Sequence, residues 1–369
     1  MATQVPTTVT LTEPADDHLR HLRQKADVQM VEDITLEKIA QPTSRPEFEQ
    51  LPLKSHHPPY SAWGLWGDDD QAGTLRLLTA ETVARAGKEI IKGNRFSLNW
   101  SLNSPITPSF GRSNFAFHHT LHGDTPDVLV FDDSLTFNTQ KSSQWDGLRH
   151  FAYQKEQLFY QGVTKQQITA PGSSTLGIQV WHDEGGIAGR GVLLDFWAYS
   201  QSTGHEYKPT AGAAIRFDDL MACLKYQEDL IGHAIEFLPG DILTVRCGFT
   251  DHYLKLNEEA EAAAGKALPP LSCGLEQDVR LLKWLWDHKF AAVGGDSQSF
   301  ECFPPKTDAK FLLHEVLLAG WGCPIAEMLW LEDLAVCCAE EKRYTFFVSS
   351  SPLNVHGGVA SPANMMAIM

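Results

Sequence analysis

Short runs of alternating hydrophobic and polar residues lie along most of the chain, with runs of helical spacing between them. The alternating or continuously apolar runs predict strands at residues 95–102, 127–133, 189–199 and 241–249. Apolar residues three and four positions apart predict helices at 79–91, 216–227, 276–290 and 325–341. Strands interleaved with helices predict an α/β fold in which helices flank a mixed β-sheet.

The first 50 residues have a different pattern, polar throughout, with one amphipathic segment at residues 17–40 before a proline-bearing stretch. We therefore divide the chain into a polar N-terminal arm, residues 1–50, and one α/β domain, residues 51–369. An arm of this kind either wraps a neighbouring subunit or stays disordered.

Composition narrows the class of protein. With 369 residues, 43% of them hydrophobic, the chain can bury a large core without disulfides. Its seven cysteines are scattered and form no CxxC pair, which favours reduced thiols. The N-terminal segment lacks a basic start and an apolar run, and no later window reaches membrane-spanning length. We expect a cytoplasmic protein without a membrane partner.

Charge and motifs exclude several functions. Acidic residues outnumber Lys and Arg, 46 to 30, and no basic cluster is dense enough to follow a phosphate backbone, so nucleic acid is not an expected partner. The chain also lacks a GxSxG elbow, a P-loop and a dinucleotide fingerprint in suitable context. These absences argue against serine hydrolases, kinases and nicotinamide enzymes.

A candidate site lies in the segment QKSSQWDGLRH, residues 140–150. If this segment is extended, side chains alternate between its faces, and Gln140, Gln144, Asp146 and His150 project to one side. Polar groups converging beside apolar neighbours predict a cleft. The alternative is an ordinary polar edge strand.

A second candidate lies in residues 311–330, where His314 and Glu327 flank a glycine-containing turn. Imidazole and carboxylate are common metal ligands when the fold brings them together. The alternative is a surface histidine and a glutamate in the first turn of a helix.

Aromatic residues near these segments could form the walls of a pocket. Trp63 and Trp66 lie in a turn-rich segment, and Trp145 and Phe151 lie in or beside the first candidate site. Such side chains predict a small aromatic or hydrophobic substrate. Tryptophans are, however, more often part of a core.

In chain order, these segments resemble the putative cyclase family, which includes metal-dependent kynurenine formamidase and isatin hydrolase, and in particular its longer fungal members. The resemblance is carried by SAWGLWGDDDQAGTLRLL, SLNWSLN, LTFNTQKSSQWDGLRHFAYQKEQLFYQGV, GRGVLLD, PGDILTVRCGF, WLWDHKFAAVGGDSQSFE, HEVLLAGWGCPIAE and SPLNVHGGVASP. It implies a single domain of the swivelling β/β/α type and a homodimer or homotetramer.

The family signature is H-x-G-T-H-x-D-x-P-x-H, in which two His and the Asp bind divalent metal and the last His is a general acid/base. Its two metal-binding histidines fall on Gln140 and Gln144, its aspartate on Asp146 and its last histidine on His150. The later ligands of the family fall on His314 and Glu327.

A carboxamide oxygen is a weaker ligand for zinc or manganese than an imidazole, so the two glutamines change what the resemblance implies. One form of the site holds a single divalent ion, zinc or manganese, by Asp146, His314 and Glu327, with Gln144 or water completing the shell. In the other form no metal binds, and Asp146 orients His150 for acid/base chemistry.

Three functions remain open. The first is hydrolysis of a lactone, lactam or N-acyl bond in an aromatic or polyketide-like metabolite, with His150 as general acid/base. The second is a metal-independent cyclase, dehydratase or isomerase of natural-product tailoring, in which Gln140 and Gln144 hydrogen-bond the substrate. The third is an inactive, ligand-binding member of the fold.

Overall fold

A nine-stranded mixed β-sheet is the framework of the fold, as described by a computed structural model of residues 45–125 and 128–369. Within these residues the strands are β1 (Arg95–Ser97), β2 (Ala116–Thr125), β3 (Val128–Thr136), β4 (Gln144–Asp146), β5 (Ile187–Leu194), β6 (Ala214–Ile215), β7 (Ile242–Val245), β8 (Gly274–Leu275), β9 (Ala292–Gly295), β10 (Ile325–Glu327), β11 (Thr345–Ser350), β12 (Ala360–Pro362) and β13 (Met365–Ile368). The α-helices are α1 (Ala80–Ala86), α2 (Lys165–Thr169), α3 (Gln179–Asp183), α4 (Phe196–Thr203), α5 (Phe217–Ile231), α6 (Phe249–Tyr253), α7 (Glu258–Lys266), α8 (Val279–Asp287) and α9 (Glu332–Glu341). The predicted N-terminal arm lies outside the described residues, apart from residues 45–50.

The strand order of the main sheet is β1-β13-β11-β5-β7-β9-β10-β4-β12. The central strands β5, β7, β9 and β10 are parallel, and the strands on either side of them pair antiparallel. Parallel neighbours need crossover connections, and the helices α4 to α8 supply them between β5 and β9. The predicted α/β class, with a mixed sheet and flanking helices, is confirmed.

The core forms where helices cover the parallel strands. Every residue of β7 and β9 is buried, as expected for parallel strands with both faces covered. Helix α8 places an apolar stripe, Leu281, Leu282, Leu285 and Trp286, in this core. No helix among the described residues combines the length and the apolar character needed to cross a membrane.

Several predicted elements are wrong in part. The strands predicted at 95–102 and 241–249 end at Ser97 and Val245. The strand predicted at 189–199 ends at Leu194, because Asp195 accepts a hydrogen bond from the backbone N–H of Ala198 and begins helix α4. The helix predicted at 325–341 begins only at Glu332. Its first residues form β10 instead, because pairing with β9 and β4 outweighs their helical periodicity, and Glu327 therefore lies on a strand.

The segment 140–150 is also not one extended strand. Only Gln144–Asp146 form a strand, paired on both sides by β10 and β12. A turn before it is closed by the Lys141 N–H to Asn138 O hydrogen bond, and a turn after it by the His150 N–H to Gly147 O hydrogen bond. The two ends of the segment therefore fold back toward β4 rather than continuing away from it.

Candidate active site

The centre of the candidate site is the pair of strands β4 and β10. Their register places Glu327 beside Gln144 and Ile325 beside Asp146. Nε2 of Gln144 donates hydrogen bonds to Oε2 of Glu327 at 2.7 Å and to Oδ1 of Asp146 at 3.2 Å. Strand β10 ends at Glu327, so the site lies at the carboxyl ends of parallel strands, where α/β folds commonly bind ligands.

Gln140 and His150 reach this centre from the two turns. Nε2 of Gln140 donates to Oδ1 of Asp146 at 2.7 Å and lies 3.0 Å from Nδ1 of His150. Nε2 of His150 is 3.4 Å from Oδ2 of Asp146. The structure thus brings together Gln140, Gln144, Asp146 and His150, although turns rather than strand alternation do so.

His314 enters from the other side of the cluster, just before a π-helical segment, Glu315–Trp321. Its Nδ1 is 2.7 Å from Oε1 of Glu301, and its Nε2 is 3.1 Å from Oε1 of Glu327 and 3.6 Å from Oδ2 of Asp146. Glu301 was not predicted from the sequence, because no local motif marks it and its role depends on a contact made by the fold.

A metal ion would fit between three of these side chains. One ligand atom from each of Asp146, His150 and His314 lies within 4.8 Å of the others. Oδ2 of Asp146 is buried and has no hydrogen-bond partner among the described residues, which is costly for a carboxylate unless a cation compensates it. One oxygen and two imidazole nitrogens suit a divalent transition ion.

This ligand set differs from the one that the sequence predicted. There, Glu327 and Gln144 were expected to join Asp146 and His314. In the structure Gln144 and Glu327 hydrogen-bond to each other, and Oε1 of Glu327 also accepts the N–H of Phe300. His150 is the third member of the group that could hold an ion, and the set of Asp146, His314, Glu327 and Gln144 stays a prediction.

Burial and neighbouring charged groups shift the pKa values of the ionisable side chains in the cluster. Burial acts to raise the pKa of Asp146, but His150, His314 and Arg112 hold that pKa well below its usual range, so Asp146 is ionised. Burial lowers the pKa of His150 despite the nearby Asp146. Burial would also lower the pKa of His314, but the carboxylates around it raise that pKa well above its usual value. Burial and the charge of Asp146 raise the pKa of Glu327.

Arg112 is a second residue that the sequence did not reveal. Its Nη1 donates to the backbone oxygen of Gln140 at 2.5 Å and to Oε1 of Gln144 at 3.3 Å. Gln144 therefore connects the guanidinium to Glu327, because a carboxamide both accepts and donates hydrogen bonds. An arginine 32 positions away in sequence could be placed here only by the fold.

A cavity of about 270 Å³ adjoins the cluster. Its apolar walls are Phe110, Phe151, Phe303 and Leu312. Its polar lining residues are Arg112, Asn138, Gln140, His150, Gln298, Ser299, Glu301, His314 and Glu327. This combination suits a small molecule with an aromatic or apolar part and a carbonyl group.

A larger cavity of about 670 Å³ lies between Trp100 and Trp330, but its lining residues include no histidine and no carboxylate other than Asp333.

The predicted tryptophans do not line the cavity at the cluster. Trp63, Trp66 and Trp145 are buried in the core, with exposed fractions of 6%, 8% and 0%. Nε1 of Trp63 donates to the oxygen of Ala319, and Nε1 of Trp145 donates to Oγ of Ser350. Of the predicted aromatic residues, only Phe151 is among the cavity walls.

The mixed sheet, the buried acid–base cluster and the adjoining cavity are those of an α/β enzyme of the small-molecule hydrolase and cyclase class. The chain matches the model of the family described as Putative cyclase over residues 69–302, and it belongs to that family. The resemblance seen in the sequence is thus confirmed, and the family supports an enzyme rather than an inactive ligand-binding protein.

Two solved structures extend this comparison. A crystal structure of a novel cyclase is 30% identical and superposes with a TM-score of 0.70, covering 84% of this chain and 99% of the other. An isatin hydrolase bound to the product analogue thioisatinate is 14% identical, with a TM-score of 0.50, and covers 79% of this chain and 99% of the other. At that identity the second match shows a common fold alone. A search of curated proteins gave no match.

Proposed function

We propose that the chain hydrolyses a lactone, lactam or N-acyl bond in a small aromatic or hydrophobic metabolite. The observation that carries this proposal is the buried Oδ2 of Asp146, which lacks a hydrogen-bond partner among the described residues and faces Nε2 of both His150 and His314. The name of the structural neighbour, an isatin hydrolase, is consistent with such a reaction.

Asp146, His150 and His314 would hold one divalent ion, and zinc or manganese suits their oxygen and nitrogen ligands. When bound, the ion supplies a Lewis acid beside the cavity. Because His150 is one of the three residues that would hold the ion in this form, the acid/base role that the sequence assigned to His150 would pass to another group.

Glu327 is suited to that role. It lines the cavity, and its raised pKa makes its carboxylate a better proton acceptor near neutral pH than an ordinary glutamate. It takes the proton from the attacking water and returns it to the leaving group. Gln144 and the N–H of Phe300 hold the carboxylate in place.

Arg112 acts on the substrate oxygen. Its Nη1 donates hydrogen bonds to Gln140 and Gln144, so the guanidinium is fixed at the cavity wall before a substrate binds. A fixed cation beside a carbonyl stabilises the negative charge that develops on the oxygen during attack. The phenylalanine walls orient the rest of the substrate and exclude water.

The test is turnover of aryl lactones, aryl lactams and N-acyl anilines by the full-length chain in water enriched in ¹⁸O, followed by mass spectrometry. Hydrolysis places one ¹⁸O atom in the product for each bond cleaved. We expect Asp146→Asn to lower the rate by about 100-fold or more. Asp333→Asn, which alters a carboxylate of the larger cavity, is the control and should keep the wild-type rate.

A metal-independent cyclase, dehydratase or isomerase is the second candidate. It is supported by the Gln140 carboxamide, whose Nε2 contacts both Oδ1 of Asp146 and Nδ1 of His150 and so links the carboxylate to the imidazole directly. In this form the neutral His150 transfers the proton and Asp146 orients its ring. Turnover that leaves no ¹⁸O in the product and is unaffected by chelators would support this candidate over hydrolysis.

A further inference from the structure

The residue that follows strand β10 has an uncommon backbone conformation. Met328 comes directly after Glu327 and has a φ of 52°, in the left-handed region. Side chains other than glycine rarely adopt this region, and residues held there cluster at functional sites. Met328 is also buried, so its backbone N–H and carbonyl oxygen need hydrogen-bond partners within the protein.

Both backbone groups of Met328 have such a partner. Its N–H donates to the backbone oxygen of Ser297 at 2.9 Å, and its oxygen accepts a hydrogen bond from Oγ of Ser143 at 2.5 Å. The backbone N–H of Trp100 donates to the same Oγ at 2.7 Å. Because a backbone N–H can only donate, Oγ is the acceptor there and keeps its own proton for Met328. The Ser143 hydroxyl therefore has a fixed orientation.

The Ser143 hydroxyl lies where the pairing of β4 with β10 stops. Glu327 pairs with Gln144, so Ser143 and Met328 would be the next antiparallel pair. The backbone oxygen of Ser143 instead accepts the N–H of Ala363, at 2.9 Å. The side chain of Ser143 replaces the backbone as the partner of Met328, and β10 ends at Glu327.

This contact holds the backbone next to Glu327. The carboxylate at the other end of the Glu327 side chain accepts hydrogen bonds from Nε2 of Gln144 and from the N–H of Phe300. The Glu327 side chain is thus fixed both at its carboxylate and at its backbone. Such support matters because a displacement of about 1 Å in a reacting group can lower a rate by about 100-fold.

We propose, on the basis of the proposed function in which Glu327 transfers the proton, that Ser143 is a positioning residue. Its hydroxyl holds Met328 in the left-handed conformation and so fixes Glu327 at the cavity. Among the described residues, those that line the cavity do not include Ser143, so it acts through Glu327 rather than on the substrate.

The first test is the steady-state kinetics of serine variants on the aryl lactone, lactam or N-acyl aniline that the full-length chain cleaves fastest. Ser143→Ala should lower kcat by about 10- to 100-fold and change KM by less than about twofold. Ser143→Thr keeps the hydroxyl and should stay within about threefold of the wild-type kcat. If Ser143→Ala does not fold, Ser143→Cys has nearly the same volume and a weaker donor, and should lower kcat in the same direction.

Ser142→Ala is the matched control. Ser142 is buried like its neighbour, but its hydroxyl donates to the backbone oxygen of Ser101, at 3.1 Å, rather than to the end of β10. The control should keep the wild-type kcat. Equal losses in Ser142→Ala and Ser143→Ala would overturn the proposal.

A double-mutant cycle separates positioning of Glu327 from a general structural effect. In a Glu327→Gln background, Ser143→Ala should lower kcat by less than about twofold, because two residues that act through the same group have non-additive effects. A further loss as large as the one in the wild-type background would overturn the proposal.

Hydrogen–deuterium exchange tests the contact without depending on the reaction. Ser143→Ala should speed exchange of the Met328 N–H by about tenfold or more, whereas Ser142→Ala should leave it unchanged. Unchanged exchange in Ser143→Ala would overturn the proposal whether or not the chain is a hydrolase. Faster exchange together with a full rate in Glu327→Gln would support the Ser143–Met328 contact and contradict the role of Glu327 in the proposed function.

Discussion

Nδ1 of His314 lies 2.7 Å from Oε1 of Glu301, while Nε2 of the same ring faces Asp146 and Glu327. Glu301 is itself held by the backbone N–H groups of Leu313 and His314, each at 2.8 Å. A carboxylate that accepts a hydrogen bond from one nitrogen of an imidazole fixes the orientation of the ring and makes the other nitrogen a better metal ligand. Glu301 therefore prepares His314 for its place in the cluster.

Glu301→Gln should lower metal affinity by about 10- to 100-fold, because a carboxamide is a weaker acceptor than a carboxylate. The measurement is competition for the ion against a chelator. Glu315→Gln is the matched control: Glu315 accepts the N–H of Leu312 at the same turn but makes no hydrogen bond to the His314 ring. If both variants lose the same affinity, Glu301 has only a structural role.

Asp146→Asn should abolish metal binding, because the carboxylate is central to the cluster and its Oδ2 is the oxygen without a partner among the described residues. Elemental mass spectrometry of the full-length wild type should find about one zinc or manganese ion per chain. The variant should contain none. A wild type that takes up neither ion when each is supplied would leave the metal-independent candidate standing.

Gln140→His should tighten metal binding by about tenfold, because an imidazole is a better ligand than a carboxamide. The Gln140 side chain is already in position, with Nε2 2.7 Å from Oδ1 of Asp146. Titration with zinc, monitored by calorimetry, measures the change in metal affinity. A weaker or unchanged affinity would show that the Gln140 side chain does not lie where a fourth ligand can form.

Trp145 and Phe151 should respond differently to mutation. Trp145→Phe removes the hydrogen bond to Ser350 and part of a fully buried ring, and should cost about 1–3 kcal/mol of stability while leaving KM unchanged. Phe151→Ala removes a cavity wall whose ring is 5.5 Å from that of His314, and should raise KM. Thermal unfolding and steady-state kinetics separate the two effects. A raised KM in Trp145→Phe would return that residue to the substrate-binding role that the sequence suggested.

Asp296, at the end of β9, should make stability depend on pH. Burial raises its pKa to about 7, above the ordinary value of 3.8. The folded chain then binds a proton that the unfolded chain has released, so this residue makes the protein less stable as the pH rises from about 4 to about 7. The loss is at most on the order of 4 kcal/mol.

Urea unfolding of the wild type and of Asp296→Asn measures this effect. The asparagine keeps an acceptor for the Cys247 N–H but cannot ionise. Relative to the variant, the wild type should lose stability across this interval and change little above it. If the free energy of unfolding of the two proteins changes with pH in the same way, Asp296 does not titrate in this pH interval.

Much of the fold was predictable because its signals are local. The apolar runs of β5 and β7 and the amphipathic stripe of α8 each depend on residues close together in sequence. The errors came where long-range pairing competes with local periodicity. Residues 325–327 have helical spacing but pair with β9 and β4, and no local pattern reports that competition.

The sequence by itself determined the α/β class, the family and the residues of one chemical segment, because periodicity and signature spacing are properties of short stretches. Only the tertiary structure decided that His150 completes the cluster with Asp146 and His314, and that Glu301 and Arg112 support it. It also assigned the tryptophans to the core. The physical reason is that burial and contact join distant parts of the chain, and a side chain's charge and role depend on those neighbours.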